Sequence, residues 1–265
     1  MQKAIKRYFP VFVLPTLIAF TIGFLAPFVL GVYLSFCKFT TVTDAKFIGL
    51  SNYAKILGDG DFLHSLWFTA LFTIVTVLLI NIFAFAVAML LTKNIKGTNI
   101  FRTVFFMPNL IGGIVLGYVW QFVFNNVLIK MTNNISLLSK TNTAMMAIIV
   151  VYIWQYAGYI MLIYVTGLTQ VPKDVLEASQ IDGANAVTTL FKIKIPMIAA
   201  TITICTFLTL TNSFKLFDQN LALTGGAPGV VSETSGTMIY QTQMMALNIY
   251  NTFYANQNSR GVGQA

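Results

Sequence analysis

The chain has 265 residues, of which 57% are apolar and only 9% carry a charge. A water-soluble domain has about a quarter of its residues charged, so this composition excludes a soluble protein and indicates an integral membrane protein. The net charge of +8 does not indicate nucleic-acid binding, because the basic residues flank apolar runs instead of forming one stripe.

Five apolar runs are long enough to cross a bilayer as helices, since about 20 residues span the hydrocarbon core. The first run follows a basic start, but it is too long for a signal peptide and no Ala-x-Ala cleavage site follows it, so we predict a retained helix. The predicted spans are Val11–Phe36, Leu66–Thr92, Val104–Phe124, Ala144–Leu168 and Ile195–Phe217.

The basic residues between the spans predict the orientation. With the N-terminus inside, nine Lys and Arg lie in the cytoplasmic segments and seven lie outside, and the compact loop Lys93–Arg102 favours this arrangement. Five spans then place the C-terminal tail outside. Cys37 and Cys205 fall at different depths, which indicates two apolar thiols and no disulfide.

The predicted spans lack the groups that drive other classes of transporter or enzyme. No Asp or Glu occurs from Phe62 to Lys173, and the fifth span reaches Asp218 only at its predicted outer end. Proton-coupled carriers need ionisable groups at mid-membrane, so proton coupling is not expected. No Gly-Lys dipeptide is present, which excludes a phosphate-binding P-loop. No catalytic carboxylate pair or metal-ligand cluster is evident either.

What the spans do contain is polar but uncharged. Hydroxyl and amide side chains suit a neutral, hydroxyl-rich solute, although hydrogen bonding between helices is the alternative interpretation of each. These residues are Asn81, Asn109, Gln121, Tyr152, Gln155, Tyr156, Tyr159, Thr209 and Asn212.

The segment between the fourth and fifth spans predicts two short helices. Pro172 suits a first helical turn, and a helix from about Lys173 to Asp182 meets Gly183, a natural left-handed stop. Asn185 predicts the cap of a second helix, which we expect to end before Pro196.

Residues 170–197 resemble the EAA loop of permease subunits from binding-protein-dependent ABC importers. The family pattern is E-A-A, three residues, G, nine residues and I-x-L-P; here Ser179 replaces the second Ala and Ile195 replaces Leu. The residues that match, and that the resemblance implies contact the ATPase, are Glu177, Ala178, Ser179, Asp182, Gly183, Ala184, Ile193 and Pro196.

Further motifs resemble the carbohydrate branch of this family, of the maltose and multiple-sugar type. They are Lys96-Gly97 to Arg102-Thr103, Phe105-Phe106-Met107-Pro108, Trp120 to Phe124, and Leu223 to Pro228 with one residue displaced from the usual L-T-x-G-G-P. The resemblance thus covers roughly residues 66–229.

The resemblance implies an all-α polytopic membrane protein with the type I ABC importer fold. It implies a second permease subunit, two cytoplasmic ATPase subunits that bind ATP and Mg²⁺, and an extracytoplasmic sugar-binding protein. The chain itself would then need no cofactor and catalyse no reaction. Candidate sugar-facing residues, by the matching helices, are Tyr152, Gln155, Tyr156, Tyr159, Thr209, Asn212 and Ser213.

The family core has six spans, so we expect residues 1–218 to form the membrane domain and residues 219–265 an external loop before a missing sixth helix. The expected location is a bacterial cytoplasmic membrane, with the chain a fragment or truncated product. The main alternative is a channel or facilitator that needs no ATPase. It explains the neutral spans but gives no reason for the loop at residues 170–197.

Overall fold

The structure is a computed structural model that describes residues 2–39, 42–93, 96–132, 136–231 and 238–254. The chain forms two compact units, one comprising Met1–Gly60 and Ile249–Ala265 and the other Asp61–Asn248. The helices and strands are α1 (Gln2–Phe20), α2 (Ala26–Ser35), β1 (Cys37–Lys38), β2 (Lys46–Phe47), α3 (Ser51–Leu57), α4 (Gly60–Leu91), α5 (Thr98–Phe106), α6 (Gly113–Phe122), α7 (Leu128–Thr132), α8 (Thr141–Thr169), α9 (Lys173–Ile181), α10 (Ala186–Thr189), α11 (Ile195–Met197), α12 (Ala199–Phe214), α13 (Asp218–Leu223), β3 (Gly229–Val231), β4 (Met238–Tyr240) and α14 (Met245–Tyr254).

The first unit contains the first predicted span. A π-helical turn at Thr21–Leu25 joins α1 to α2, so the helix continues through the whole run. The stretch Tyr8–Ser35 has 28 residues, or about 42 Å of helix, which exceeds the roughly 30 Å of hydrocarbon it must cross. None of its side chains is buried within the described chain, so its surface is available to lipid or to a partner.

In the second unit, α4 and α8 match the second and fourth predicted spans. Helix α8 is the central one, and its residues Ile148, Val151 and Ile160 have no exposed surface. The Tyr152 ring packs against Phe72 of α4 with ring centroids 5.4 Å apart. The prediction of these two spans is confirmed, with α4 beginning six residues earlier than expected.

The third predicted span, Val104–Phe124, is wrong as a continuous helix. Helix α5 ends at Phe106, a 3-10 turn covers Met107–Leu110, and α6 resumes at Gly113. Pro108 explains the break, because proline lacks an N–H donor and its ring clashes with the carbonyl one turn earlier. The stretch Gly113–Lys130 is long and apolar enough to cross a membrane, although a π-helical turn at Val123–Val127 interrupts its α-helix.

The fifth predicted span, Ile195–Phe217, is also interrupted. The stretch Ala186–Met197 is bent by 73° from α12, so the crossing begins at Ala199 and not at Ile195. Helix α12 has 16 residues, or about 24 Å, which is too short to span the hydrocarbon core alone. After a break at residues 215–217, α13 begins at Asp218.

The predicted boundary between residues 218 and 219 falls inside α13, which packs along α6. Beyond it, β3 pairs with β4 as an antiparallel hairpin. The following segment contacts the start of α4: the Met245 amide donates to Thr69 Oγ1 at 2.8 Å, and Asn248 Nδ2 donates to Asp61 Oδ2 at 2.8 Å. This part of the predicted loop is therefore packed into the second unit.

Several predictions on the tail lie outside the described residues. Residues 232–237 and 255–265 fall outside that set. The part of the tail that was expected to lead to a sixth helix lies there as well. Within the described residues, four helices are long and apolar enough to cross a membrane, or five if the bent pair ending in α12 counts as one span.

Candidate functional site

The first candidate site is the loop at residues 170–197, which we call the coupling loop. Its first helix, α9, ends in a Schellman motif: the Ala184 amide donates to the Ser179 carbonyl at 2.9 Å, and the Gly183 amide donates to the Gln180 carbonyl at 3.1 Å. Gly183 has φ of +78°, the left-handed conformation in which glycine carries no Cβ penalty. The predicted stop at Gly183 is confirmed.

The second half of the coupling loop begins at the predicted cap. The Thr188 amide donates to Asn185 Oδ1 at 2.8 Å, which satisfies one of the amides that a helix start leaves unpaired. The predicted end before Pro196 is wrong, because the chain stays helical through a π-helical turn at Leu190–Lys194 and on to Met197. In an α-helix each amide donates to the carbonyl four residues earlier, and proline cannot make this bond. In a π-helical turn the bonds join residues five positions apart, so the missing bond of Pro196 does not end the helix.

The coupling loop presents an exposed apolar and acidic surface. Ile181 is 87% exposed, and Glu177, one helical turn earlier, is also exposed, so the two side chains lie on one face of α9. Ser179 is buried, and its hydroxyl donates to the Leu176 carbonyl at 2.7 Å. The other matching residues are exposed or half-buried: Ala178, Asp182, Gly183, Ala184, Ile193 and Pro196.

The second candidate site lies where the third and fifth crossings are both interrupted. A Cβ on Gly113 would lie 2.8 Å from the Asp218 Cβ, and one on Gly117 would lie 2.6 Å from the Ala222 Cβ. The two glycines therefore let α13 lie directly against α6, as close packing in membranes requires. Gln155, near the midpoint of α8, donates to the Ile111 carbonyl at 2.9 Å, so the interruption lies level with the middle of that helix.

A cavity of about 210 Å³ opens at this level, and we call it the mid-membrane pocket. Its lining is Gly113, Gln155, Tyr156, Asn212, Lys215, Leu216, Phe217, Asp218 and Gln219. The pocket thus combines amide groups, two aromatic rings and two opposite charges.

Hydrogen bonds across the pocket wall join elements that are distant in sequence. Gln219 Nε2 donates to Gln155 Oε1, and Gln121 Nε2 donates to the Leu223 carbonyl at 3.2 Å. Gln219 is 1% exposed, and its Oε1 has no hydrogen-bond partner among the described residues.

The structure corrects the expectation that no charge lies inside the spans, and with it the argument from missing charges against proton coupling. Lys215 and Asp218 follow the early end of α12 and line the pocket beside Gln155, instead of lying at the outer end of the fifth span. Both side chains are exposed on the isolated chain. The apolar run predicted a continuous helix through residue 217, and only the break in α12 brings these charges to mid-depth.

Three of the seven predicted sugar-facing residues line the pocket: Gln155, Tyr156 and Asn212. Tyr152 and Ser213 are buried in a chain of hydroxyls, in which Thr76 donates to Ser213 at 3.1 Å and Ser213 donates to Tyr152 at 3.2 Å. This arrangement matches the alternative interpretation, hydrogen bonding between helices.

Thr209 is also buried between helices, where it accepts a hydrogen bond from Asn81 Nδ2 at 2.9 Å. The half-buried Tyr159 packs on the apolar core. A sugar-contacting role for these residues stays a prediction. The lining residues that the sequence did not suggest are Gly113, Lys215, Leu216, Phe217, Asp218 and Gln219.

Comparison with known proteins supports the same family as the sequence motifs, and it does so over most of the chain. Residues 56–255 match the family described as "Binding-protein-dependent transport system inner membrane component". The chain is 41% identical over 260 residues to the probable starch degradation products transport system permease protein AmyD of Thermoanaerobacterium thermosulfurigenes, covering 96% of this chain and 85% of that protein. It is 29% identical over 250 residues to the multiple sugar-binding transport system permease protein MsmF of Streptococcus mutans, covering 91% and 86%.

The structure is also similar to solved structures. A chain from a bacterial ABC transporter involved in the import of the acidic polysaccharide alginate superposes with a TM-score of 0.77 at 17% sequence identity, covering 99% of this chain and 89% of that one. At this level of identity the likeness concerns the fold. The predicted fold of a type I ABC importer permease is confirmed.

Proposed function

This chain belongs to the family of binding-protein-dependent transport system inner membrane components, and we propose that it is the membrane-spanning subunit of an ATP-driven importer that carries a sugar inward across the cytoplasmic membrane. The sugar is an oligosaccharide in this proposal. A second permease subunit, two ATPase subunits holding ATP and Mg²⁺, and an extracytoplasmic sugar-binding protein complete the complex.

The observation that carries this proposal is the exposure of Lys215 and Asp218 at mid-depth. A charged side chain that faces lipid near the bilayer centre costs several kcal/mol, so such residues line protein interfaces or water-filled paths. This side of the bundle is therefore the side that a second permease subunit covers, and the solute passes between the two subunits.

The chemistry of the pocket supports a sugar as the solute. Gln155 and Asn212 supply amides that bind hydroxyls, and the rings of Tyr156 and Phe217 offer faces on which a sugar ring stacks. The volume of about 210 Å³ is below the 300–1,000 Å³ that is typical of drug-sized ligands. An oligosaccharide therefore needs the second subunit to complete the site.

The coupling loop supports an external source of energy. Its exposed residues Glu177 and Ile181 lie on a helix whose C-terminal end is fixed by the Schellman motif at Gly183, which suits a rigid contact with another protein. The loop lies at the end of the bundle opposite to the segment around Asp61 and Asn248. ATPase closure at one end is then linked to opening of the solute path at the other.

The test compares two single cysteines on adjoining parts of the fifth crossing, in a chain with Cys37 and Cys205 replaced. Lys215→Cys lies in the pocket, and Phe207→Cys is 64% exposed on the apolar surface of α12. In the assembled complex, a water-soluble thiol reagent should modify position 215 and not 207, and the transported sugar should slow the reaction at 215. An unreactive position 215, or equal reaction at both positions, contradicts the proposed path.

Energy coupling is tested separately in proteoliposomes that hold the whole complex. Uptake of the sugar should require ATP on the side of the ATPase subunits together with the sugar-binding protein, and should persist when the pH gradient is dissipated. Uptake without ATP would instead favour the facilitator hypothesis.

A further inference from the structure

A second cavity, of about 460 Å³, lies at the end of the bundle where α4 and α8 finish and α5 begins. We call it the basic pocket. Its lining is Leu91, Thr92, Lys93, Lys96, Thr98, Asn99, Arg102 and Thr169. It is separate from the mid-membrane pocket, with which it shares no lining residue.

The basic pocket concentrates positive charge without acidic compensation. Lys93, Lys96 and Arg102 line it, and the chain has no Asp or Glu between Phe62 and Lys173. Hydroxyl and amide groups of Thr92, Asn99 and other lining residues add hydrogen-bonding capacity. Three cations and several neutral donors around one cavity form a receptor for an anion with several acceptor oxygens, of which a phosphate group is the common example.

Arg102 holds this arrangement in place. Its Nη2 donates to the Leu91 carbonyl at the end of α4, at 3.3 Å, which fixes the guanidinium at the pocket wall. Its Nε is buried and has no hydrogen-bond partner among the described residues. Capping of a helix C-terminus explains the Nη2 contact, but it leaves this second donor unused. Lys93 and Lys96 are exposed at the pocket mouth and are free to reach an anion.

The surface beside the pocket is apolar, and this favours a lipid over a soluble anion as the ligand. Leu90 before the pocket and Ile100, Phe101 and Val104 after it are all exposed, with Ile100 70% exposed. These side chains lie at the end of the membrane-crossing helix α4 and on the short helix α5 that follows it, where acyl chains can run alongside them. A ligand that carries a phosphate and two acyl chains matches both surfaces at once, whereas a free phosphate uses only one.

We propose that the basic pocket binds the headgroup of an anionic glycerophospholipid from the leaflet that faces the coupling loop. The phosphate lies among Lys93, Lys96 and Arg102, and the acyl chains lie along the exposed side chains of α4 and α5. Basic pockets between transmembrane helices are known sites for anionic headgroups. The bound lipid braces the α4–α5 junction, which stands next to the end of α8 and the start of the coupling loop.

The experiment measures lipid retention on the purified full-length chain by native mass spectrometry. The protein is delipidated in detergent and titrated with phosphatidylglycerol, with phosphatidylcholine, or with phosphatidylglycerol in the presence of excess inorganic phosphate. Lys93→Gln/Lys96→Gln is the test variant, because both side chains are exposed and their loss creates no cavity. Lys130→Gln removes an exposed cation elsewhere on the chain and serves as the matched control.

We expect the native chain and Lys130→Gln to retain phosphatidylglycerol in preference to phosphatidylcholine. The double variant should bind phosphatidylglycerol about 25-fold more weakly, because each Lys near the surface contributes roughly fivefold to the attraction. Equal retention of the two lipids by the native chain, or unchanged retention by the double variant, overturns the proposal. Complete displacement by inorganic phosphate also overturns it, in favour of a free anion.

Discussion

The coupling loop and the mid-membrane pocket are built by interactions of very different range. In the coupling loop, the bonds that stop α9 at Gly183 and start α10 at Asn185 join residues at most five positions apart. In the mid-membrane pocket, Gln155 is bonded to residues 44 and 64 positions away. The comparison shows that the turns of the coupling loop are specified locally, while the pocket requires two interrupted helices to meet at one level.

The same contrast determines how each region responds to substitution. A change in the coupling loop alters the conformation of one turn or the surface that it presents, and leaves no cavity in the bundle. A change at the pocket alters the approach of whole helices. Four substitutions test this difference, three in the coupling loop and one, Gly158, at a contact between helices of the bundle, and they are given from the largest expected effect to the smallest.

Charge reversal at Glu177 should cause the largest loss, because it acts on a contact between proteins. If Glu177 meets a basic ATPase residue, removing one partner of a buried pair costs about 2–5 kcal/mol, and Glu177→Lys adds repulsion. We expect loss of ATPase co-purification and of sugar uptake, with normal expression of the membrane subunit. Glu177→Gln should lose less.

Asp174 provides the control for Glu177, because it is also acidic, exposed and on α9. Glu177 could instead act only through its interaction with the dipole of its own helix. In that case Asp174→Asn, in the first turn, would have a larger effect than a change at Glu177. Near-normal ATPase binding and uptake by Glu177→Lys would remove Glu177 from the coupling contact.

Gly158→Ala should destabilise the bundle, because α5 and α8 touch there. A Cβ at this position would overlap the Phe105 carbonyl, and a backbone atom cannot move aside as a side chain can. Overpacking of this kind costs about 1–3 kcal/mol. Thermal unfolding in detergent should show a lower transition temperature for Gly158→Ala than for Gly112→Ala, whose Cβ would meet no atom within 4 Å. Equal transitions would mean that α5 does not pack on α8 as described.

Gly183→Ala should loosen the turn between the two halves of the coupling loop. At φ of +78° an alanine is strained by about 1–2 kcal/mol, although there is open space around it. Hydrogen exchange of the amides around Ala184 should become faster, while exchange in α8 stays unchanged. Gly183→Asn is the control, since asparagine tolerates this conformation, and exchange as fast as in the alanine variant would argue against backbone strain as the cause.

Asn185→Ala should have the smallest effect, the loss of one helix cap. The bond from the Thr188 amide disappears, which costs about 1 kcal/mol. Faster exchange of the Thr188 amide is the expected result, and Asn185→Asp, which keeps the acceptor, should restore protection. If the alanine and aspartate variants exchange alike, the side chain does not act as the cap.

The amino-acid sequence by itself determined the membrane class, the approximate position of most spans and the design of the coupling loop. Hydrocarbon-length apolar runs leave little choice in a bilayer, since every backbone amide must be bonded within a helix. The stop at Gly183 and the cap at Asn185 were predictable because each rests on the conformational preference of one residue and on bonds within one turn.

Only the tertiary structure decided which polar residues line the pocket and which join helices. Pro108 was visible in the sequence, but the end of α12 at Phe214 was not, because Leu216 and Phe217 extend the apolar run beyond Lys215. Lys215 and Asp218 reached mid-depth through that break and through the two glycines that admit α13 against α6. Composition and periodicity describe one helix at a time, whereas the pocket exists only where two interrupted helices meet a third.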